Sequence, residues 1–318
     1  MRFLLYLNTI AIVLLAGTLV RLYEGMPLPW VDEAPAVRES EAGLLATATS
    51  PPLTIEQYAA LNLPLPHPAR PLTATPEPDV ERLRLLTEGD YPPFNFRNDA
   101  GELTGFDIEI AGALCARLKA ECSFELRPWS ELLPALKRGE GDAVVASMLI
   151  PVSGRASPAA DSGVVFTERY YSTPGHFATQ RANALAAATP AALAGRRIAV
   201  QAGSVHHAYV RMRFPEADPL ALATLAEAQN ALAVGRADLL FADRNVLLRW
   251  TASGGGAACC RLAGSSYADP AWFGEGAGIA LRADDKALRD RLNTALEELV
   301  VDGTYARISA RYFANNIY

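Results

Sequence analysis

The sequence predicts an α/β protein of two lobes, between which the chain crosses twice. From Leu83 onward, short apolar runs alternate with helical stretches, and this alternation is the sequence pattern of an α/β fold. The pattern occurs in two similar sets, which indicates two lobes built alike. Two further helices follow the second set, and the first lobe needs them as cover. The chain is therefore expected to return to the first lobe, which leaves a hinge and a cleft between the lobes.

Length and charge fit that prediction and argue against some function classes. The chain has 318 residues, half of them hydrophobic, so each of two lobes can bury a core. Lys and Arg number 29 against 35 Asp and Glu, and this acidic balance argues against broad nucleic-acid binding. Residues 1–81 contain four arginines, no lysine and nine acids, so the rest of the chain is almost neutral.

The first 80 residues are expected to be an export segment and a tether. Residues 3–20 form an 18-residue run without a charge, longer than the apolar core of a signal peptide and shorter than a full membrane span. Residues 1–25 are therefore a cleaved signal peptide or a retained N-terminal membrane anchor, and both place the body outside the cytoplasm. Residues 26–80 hold half of the 22 prolines and predict an extended tether, either a spacer or a partner-docking segment.

The elements of the first lobe are predicted from apolar spacing and capping residues. A helix begins after Gly105 with Asp107 as its N-cap, and a shorter helix is capped by Ser130 and ends at Gly139. The valine-rich residues 142–150 are too short a run for a helix and predict a buried strand. The other strands predicted for this lobe are residues 83–87 and 122–126.

The second set begins with a strand in residues 193–204. A turn at Gly203 and Ser204 follows it, and then a helix from about Val205 to Arg213. The later predicted elements are a helix at 226–235, a strand at 237–243, a glycine-rich strand at 272–281 and terminal helices at 285–303 and 304–313. The predicted lobe boundaries are 81–178 with 279–318 for lobe 1, and 179–278 for lobe 2.

Four stretches of this body resemble one protein family in content and order. They are residues 91–118, 129–147, 193–204 and 273–313. From about Leu83 to Tyr318 the chain resembles the periplasmic solute-binding proteins of the polar amino-acid type, bacterial extracellular solute-binding protein family 3. The resemblance implies the type II periplasmic-binding-protein fold, with two hinge crossovers and two lobes that close over one small ligand. It also implies a periplasmic location and delivery of the ligand to an ABC-type permease in the inner membrane.

The resemblance also implies the ligand-binding positions. Glu88 and Tyr91 fall where the family contacts its ligand, and Trp129 falls where an aromatic ring forms a wall; for the two aromatics, a surface or core role is the alternative. Arg155 corresponds to the arginine that binds a carboxylate, and Asp243 to the acid that receives an ammonium. The remaining implied contacts lie at a strand end and a helix start, and they are Ser147, Ser204, Val205 and His206.

The sequence departs from the family pattern in three places. Ala146 and Leu149 stand where the family usually has hydroxyl groups, so two hydrogen-bonding positions are lost. Arg155 is displaced by about one residue in a longer loop, and a plain surface arginine is the alternative. His206 replaces a neutral polar or small residue, and it is either a ligand contact or a half-exposed histidine at a helix start.

The four cysteines predict one disulfide and leave one pair open. Some family members have a disulfide at the spacing of Cys115 and Cys122, which implies that bond here. Cys259 and Cys260 are adjacent, and both a pair of thiols and a vicinal bridge fit the sequence. The histidines are scattered and no set of nucleophile, base and acid stands out, so the sequence predicts no metal, no cofactor and no catalytic residues.

Three functions fit these features. The first is a non-enzymatic binder of a small polar solute, an amino acid or related carboxylate, that closes around its ligand. The second is a periplasmic accessory protein with a degenerate pocket, which Ala146, Leu149 and the proline-rich tether favour. The third is an enzyme that dehydrates prephenate-like acids, which needs Glu88 or His206 as its general acid or base.

Overall fold

A computed structural model describes residues 82–152, 163–183, 185 and 188–318. The predictions for the export segment and the tether, residues 1–80, lie outside the described residues, and so does Arg155. Among the described residues, no helix has both the length and the apolar character that a membrane span needs. This part of the chain forms two mixed five-stranded sheets and a three-stranded one, with helices packed against them.

The secondary structure follows the α/β pattern along the chain. The strands are β1 (Arg82–Thr87), β2 (Asp90–Tyr91), β3 (Asn95–Arg97), β4 (Leu103–Thr104), β5 (Glu121–Leu126), β6 (Ala143–Val144), β7 (Val164–Phe166), β8 (Gly175–Gln180), β9 (Arg197–Gln201), β10 (Asp218–Leu222), β11 (Leu239–Asp243), β12 (Cys260–Tyr267) and β13 (Ala280–Arg282). The helices are α1 (Phe106–Leu118), α2 (Trp129–Lys137), α3 (Pro190–Leu193), α4 (Val205–Arg213), α5 (Leu225–Ala233), α6 (Arg244–Ala252), α7 (Gly254–Cys259), α8 (Pro270–Phe273), α9 (Lys286–Val301) and α10 (Thr304–Tyr312).

The first lobe is built on a sheet with the order β5-β1-β6-β13-β7. Strands β1, β5 and β6 run parallel, and β13 is antiparallel to β6 and β7. Side chains alternate across β1, so Leu83 and Leu85 enter the core that contains Ile110 of α1, whereas Leu86 packs with Leu132 of α2. Strands β2, β3 and β4 form a separate antiparallel sheet that leads into α1.

The second lobe is built on a sheet with the order β10-β9-β11-β8-β12. Strands β9, β10 and β11 run parallel, and β8 is antiparallel to both of its neighbours. The ring of Phe241 in β11 lies 4.6 Å from Phe177 and stacks on Tyr209 of α4 at 5.4 Å, measured between ring centroids. This aromatic packing fixes β11, which ends at Asp243, against α4, which begins at Val205.

Two segments join the lobes, as predicted. The first leads from β7 to β8, and the second leads from α8 to β13. They meet at Ala277 of the second segment. Ala277 forms antiparallel β-bridges with Tyr171 of the first segment and with Leu149. The predicted boundary after residue 178 falls inside β8, and this strand pairs with β11 and β12 along its length. The first crossover therefore ends before Gly175, a few residues earlier than predicted.

The predicted ends of two helices were wrong. The N-cap of α1 is Gly105, so Asp107 lies inside the first turn and does not cap the helix. Glycine is required at this cap because its φ is 126° and a Cβ atom there would lie 2.2 Å from the carbonyl oxygen of Phe94. The N-cap of α2 is Pro128, so Ser130 is already inside the helix, which ends at Lys137.

Two predicted strands are shorter in the structure. Within residues 142–150 only β6 pairs as a strand, and within the glycine-rich residues 272–281 regular pairing begins at β13. The backbone that follows β6 is hydrogen-bonded to the second crossover instead. The Ile150 N–H donates to the Gly276 carbonyl, and the Gly278 N–H donates to the Met148 carbonyl. These residues connect lobe 1 to the hinge. The apolar pattern of the sequence does not reveal this role.

Both pairs of cysteines are bonded in the structure. Cys115 and Cys122 join the end of α1 to β5, the pairing that the family resemblance implies. The adjacent Cys259 and Cys260, which the sequence left open, form a vicinal disulfide where α7 meets β12.

Candidate functional site

Several predicted ligand contacts lie where the parallel strands of the two sheets end. In lobe 1, Glu88 follows β1 and Ser147 follows β6. In lobe 2, Ser204 follows β9 and Asp243 ends β11. Ligands of open α/β sheets bind at the carboxyl ends of such strands, where the chain turns and presents backbone and side-chain groups. The topology therefore brings together residues that are far apart in the sequence.

The two lobes touch at this position. Nε2 of Gln201, the last residue of β9, donates a hydrogen bond to Oε1 of Glu88 at 2.5 Å. Trp129 begins α2 and approaches the same loop, because a Cβ atom on Gly203 would lie 3.7 Å from Nε1 of Trp129. Glu88 and Trp129 of lobe 1 therefore face residues 201–204 of lobe 2 across the cleft.

Glu88 has a second acid beside it. The carboxyl groups of Glu88 and Asp90 lie within hydrogen-bonding reach of each other. Burial raises the pKa of Glu88 to about 9, with the charge and the hydrogen bond of Asp90 adding to the rise and the bond from Gln201 opposing it. Burial also raises the pKa of Asp90. Glu88 is therefore protonated at neutral pH.

Tyr91 is a buried residue whose pKa is influenced by acids from both lobes. Its side chain is buried, and its ring centroid lies 5.9 Å from that of Phe94. Burial raises the pKa of Tyr91, and the charges of Asp243, Glu88 and Asp107 raise it further. The cleft is acidic on both sides.

Asp243 is the buried acid of lobe 2 and the N-cap of α6. Its Oδ1 accepts hydrogen bonds from the N–H groups of Asn245 at 2.7 Å and Val246 at 3.3 Å, and from the Thr173 hydroxyl at 3.0 Å. Burial raises the pKa of Asp243 to about 7, although these bonds lower it. All three donors reach Oδ1, so a ligand cation would bind at Oδ2.

A buried network around Asp107 supports the lobe 1 side of the cleft. Its carboxylate accepts hydrogen bonds from Nδ2 of Asn95 and from the hydroxyls of Ser147 and Tyr170, each at 2.9 Å. Oδ1 of Asn95 in turn accepts from the N–H of Gly89 in the loop after β1. Burial raises the pKa of Asp107 to about 6 against the effect of these bonds. Asp107 thus joins the loop after β1 and Ser147 to the first crossover.

Ser147 is held by this network. Besides the hydroxyl bond to Asp107, its N–H donates to the Tyr170 hydroxyl at 3.2 Å. Its φ is 56°, which turns the chain out of the sheet at the cleft edge. The Ser147 hydroxyl uses its proton for Asp107, so toward a ligand it can only accept a hydrogen bond.

Ser204 and Val205 begin the helix of lobe 2 that faces the cleft. The Ser204 hydroxyl caps α4 by accepting from the His207 N–H at 3.1 Å, and it donates to the Gln201 carbonyl at 2.7 Å. Val205 packs, partly buried, against the hydrophobic core. The Ser204 hydroxyl is therefore engaged in the helix cap, and the Val205 side chain in the core.

His206 packs against aromatic rings. Its ring centroid lies 5.7 Å from Phe241 and 5.6 Å from Phe273. Burial lowers the pKa of His206 to about 4, so the imidazole is neutral at neutral pH. A neutral ring packed in this way offers a ligand carboxylate no positive charge.

Ala146 and Leu149, at the positions where the family resemblance implies hydroxyl groups, pack against apolar residues. Ala146 is buried in the small cluster that contains Leu86 and Leu132. Leu149 is buried and bridges Ala277 of the second crossover. Both side chains strengthen lobe 1 and its hinge.

Two polar residues of the cleft were missed by the sequence predictions. Asp90 lies between Glu88 and Tyr91 in the chain, and Gln201 directly precedes the turn into α4. Their positions at strand ends were the available signal, but the sequence does not show that they meet across two lobes. Among the described residues, no group of three or more His, Cys, Asp or Glu side chains could hold a metal ion.

This two-lobed body matches known proteins over almost its whole length. The model of bacterial extracellular solute-binding proteins, family 3, matches residues 83–315. The chain belongs to this family. The family match begins one residue inside β1 and ends after α10, so this solute-binding protein has its family region in the two lobes and their hinge.

Individual relatives of this family 3 protein bind arginine. ABC transporter arginine-binding protein 1 of Escherichia coli (strain K12) is 34% identical over 234 residues, covering 74% of this chain and 91% of that protein. The L-arginine-binding protein of Pseudomonas aeruginosa is 33% identical over 242 residues, covering 74% and 89%. A solved structure of a periplasmic binding protein with high arginine specificity from Salmonella typhimurium superposes with a TM-score of 0.66 at 27% identity, covering 74% and 100%. The predicted type II fold and substrate-binding role are confirmed.

Proposed function

We propose that this protein captures a cationic amino acid in the periplasm by closing its lobes and delivers it to an ABC-type permease. The observation that carries the proposal is the pair of acidic groups on opposite sides of the cleft, Glu88 with Asp90 in lobe 1 and Asp243 in lobe 2. A basic amino acid has two cationic groups, and each needs an acid when it leaves water. The arginine-binding relatives support the same ligand class.

The site residues receive roles that fit their surroundings. Asp243 takes the α-ammonium at Oδ2, and Glu88 with Asp90 takes the side-chain cation. Trp129 and Tyr91 give the apolar part of the ligand a wall, because both lie at the same cleft edge as Glu88. Arg155 is assigned the ligand carboxylate on the family resemblance alone.

The remaining predicted contacts complete the pocket. Ser147 accepts a hydrogen bond, and the start of α4 at Ser204 and Val205 presents backbone amides to the carboxylate. His206 contributes packing and no charge. We assign the protein no catalytic step, and the binding role of its relatives supports that assignment.

Location and partners follow the same reasoning. The periplasmic relatives and the apolar residues 3–20 support an exported protein, held at the inner membrane if that segment is retained. The transporter proteins among the relatives support a permease as the partner.

The test is isothermal titration calorimetry at pH 7.5 with arginine, lysine, histidine, glutamine and glutamate. Arginine or lysine is expected to bind most tightly, and glutamate is expected not to bind, because the cleft is acidic on both sides. Asp243→Asn should weaken binding of the preferred ligand by about 10- to 100-fold, the loss of one charge-assisted hydrogen bond.

The control is Asp284→Asn, which removes an exposed acid outside the cleft and should leave affinity unchanged. Tighter binding of glutamate or glutamine than of arginine would contradict the ligand class. If the folded protein binds no amino acid, the accessory-protein hypothesis replaces the transport role.

A further inference from the structure

Asp90 places a second acid beside Glu88, although one acid is enough to neutralise one ligand cation. It lies in β2 and is partly buried, and its Oδ1 is buried without a hydrogen-bond partner among the described residues. Its carboxyl group reaches that of Glu88. A buried acceptor that lacks a donor costs free energy, so a donor that arrives with the ligand would explain its position.

The contact between Glu88 and Asp90 requires a proton. A carboxylate has acceptors and no donor, so two carboxyl groups can hydrogen-bond to each other only when one of them is protonated. Gln201 in lobe 2 donates a hydrogen bond to Oε1 of Glu88, so Glu88 has one partner in each lobe. Burial of both groups favours the state that carries one charge over the state that carries two.

We propose that Asp90 makes the site selective for ligand charge: it shares one proton with Glu88, and a ligand cation displaces that proton as the lobes close. The proton passes to the solvent buffer, both carboxylates are then ionised, and the guanidinium or ammonium donates to them. A neutral side chain cannot balance the second charge, so the proton stays. This inference rests on the proposed function, because it concerns the same site.

Other acids near the pair titrate at lower pH. Burial raises the pKa of Asp107 to about 6 and that of Asp243 to about 7. Burial raises the pKa of Tyr91 well above its ordinary value, so Tyr91 stays neutral, and His206 at the start of α4 is neutral as well. At pH 8 the carboxyl proton among these groups is therefore the one held by Glu88 and Asp90.

Charged groups on neighbouring elements have other partners. The guanidinium of Arg249 in α6 lies 5.3 Å from the ring centroid of Phe96, the residue that pairs with Asp90 in the sheet. Helix α5 packs against β2 and carries Glu227, which is exposed and accepts from the Ala223 N–H. Arg127 follows β5, and its guanidinium binds Glu125 and Glu140. Besides burial, the groups that shift the pKa of Glu88 are Asp90 and Gln201.

The experiment compares L-arginine with L-citrulline, which has nearly the same shape but a neutral ureido group. Calorimetry at pH 8 in two buffers of different ionisation enthalpy gives the number of protons released per ligand bound. Arginine is expected to release about 0.9 proton more than citrulline, because a group with a pKa of about 9 is about nine-tenths protonated at pH 8. The two ligands share their α-amino and carboxyl groups, so the difference reports the side-chain end of the site.

Asp90→Asn is the decisive variant. Its amide can donate to Glu88, which keeps the contact and removes the charge of Asp90. Burial still raises the pKa of Glu88, but less than burial and Asp90 together, so the arginine-minus-citrulline difference should fall clearly below the wild-type value. Asp99→Asn removes an exposed acid of the same region and should leave the difference at the wild-type value. Circular dichroism checks the fold, and Asp90→Ser serves if Asp90→Asn is unstable.

Equal proton release by arginine and citrulline in the wild-type protein would overturn the inference, and so would an Asp90→Asn variant that releases as many protons as the wild type. Either result leaves the proposed function standing, because arginine still binds. Absence of binding by any amino acid to the folded protein would instead refute the proposed function, and this inference with it.

Discussion

At the scale of single residues, Asp107 is an acid whose three hydrogen bonds all stay inside the protein. It is fully buried, and its partners come from the three-stranded sheet of β2, β3 and β4 (the hairpin sheet), from the end of β6 and from the first crossover. The helix start at Asp107 therefore depends on parts of the chain that lie up to 63 residues away. Its role is to position the groups that line the cleft.

Removing the Asp107 carboxylate should destabilise the protein. Asp107→Ala leaves the donors of Asn95, Ser147 and Tyr170 without their acceptor, so the free energy of unfolding should fall by about 2–4 kcal/mol. Urea denaturation followed by circular dichroism measures the change. Asp99→Ala, at an exposed position, should stay within about 0.5 kcal/mol of the wild type. A loss below about 1 kcal/mol for Asp107→Ala would show that the network contributes little.

At the scale of elements, the turn between the hairpin sheet and α1 depends on one glycine. Gly105 and Gly101 both have positive φ angles, 126° and 79°. They differ in their surroundings, because a Cβ atom at Gly105 would lie 2.2 Å from the Phe94 carbonyl oxygen, whereas a Cβ atom at Gly101 would have no neighbour within 4 Å. Comparing alanine substitutions at these two glycines separates the free-energy cost of the backbone conformation from the free-energy cost of a close contact.

The two glycines therefore predict different mutational costs. Gly101→Ala should lower the free energy of unfolding by about 1 kcal/mol, the cost of a left-handed conformation for a side chain. Gly105→Ala should cost more than about 3 kcal/mol, because the backbone at Phe94 must move away from α1. Chemical denaturation of both variants measures the difference. Equal costs would mean that the hairpin sheet shifts freely, which would contradict the tight junction.

At the scale of the whole molecule, the buried acids make stability depend on pH. The pKa values of Asp243 and Glu88 are raised to about 7 and about 9 by burial, so the folded protein holds protons that the unfolded chain has lost. For an acid with a raised pKa, the stabilisation is complete below the unfolded pKa and is lost as the pH rises through the folded pKa. The histidines with lowered pKa values act in the opposite direction, but below about pH 6.5.

Without a ligand, the protein should therefore lose stability between pH 7 and pH 9. Glu88 alone should account for about 2 kcal/mol of this loss, because one proton difference changes the free energy of unfolding by about 1.4 kcal/mol per pH unit. Denaturant unfolding at pH 7, 8 and 9 measures the loss. Glu88→Gln should remove most of it, since glutamine does not titrate. A wild-type protein that is equally stable at pH 7 and pH 9 would contradict the raised pKa of Glu88.

The sequence by itself determined the fold class and supplied candidate residues for the cleft. Alternating apolar runs predict strands and helices because burial of one face is a local property of spacing. The helix from Val205 to Arg213 and the strand ending at Asp243 were therefore placed correctly from local pattern alone. The resemblance to family 3 then selected Glu88, Tyr91, Trp129 and the other candidate contacts by position.

Only the tertiary structure decided how those residues are used. Neither the meeting of Glu88 with Asp90 and Gln201 nor the binding of Ser147 to Asp107 follows from spacing, because the partners belong to different elements or different lobes. The pKa values are decided at the same level, since burial and neighbouring charges exist only after the chain has folded. The sequence and its family resemblance selected Glu88 and Asp243 but missed Asp90, and only the packing of the folded chain decides which of these acids carries a proton.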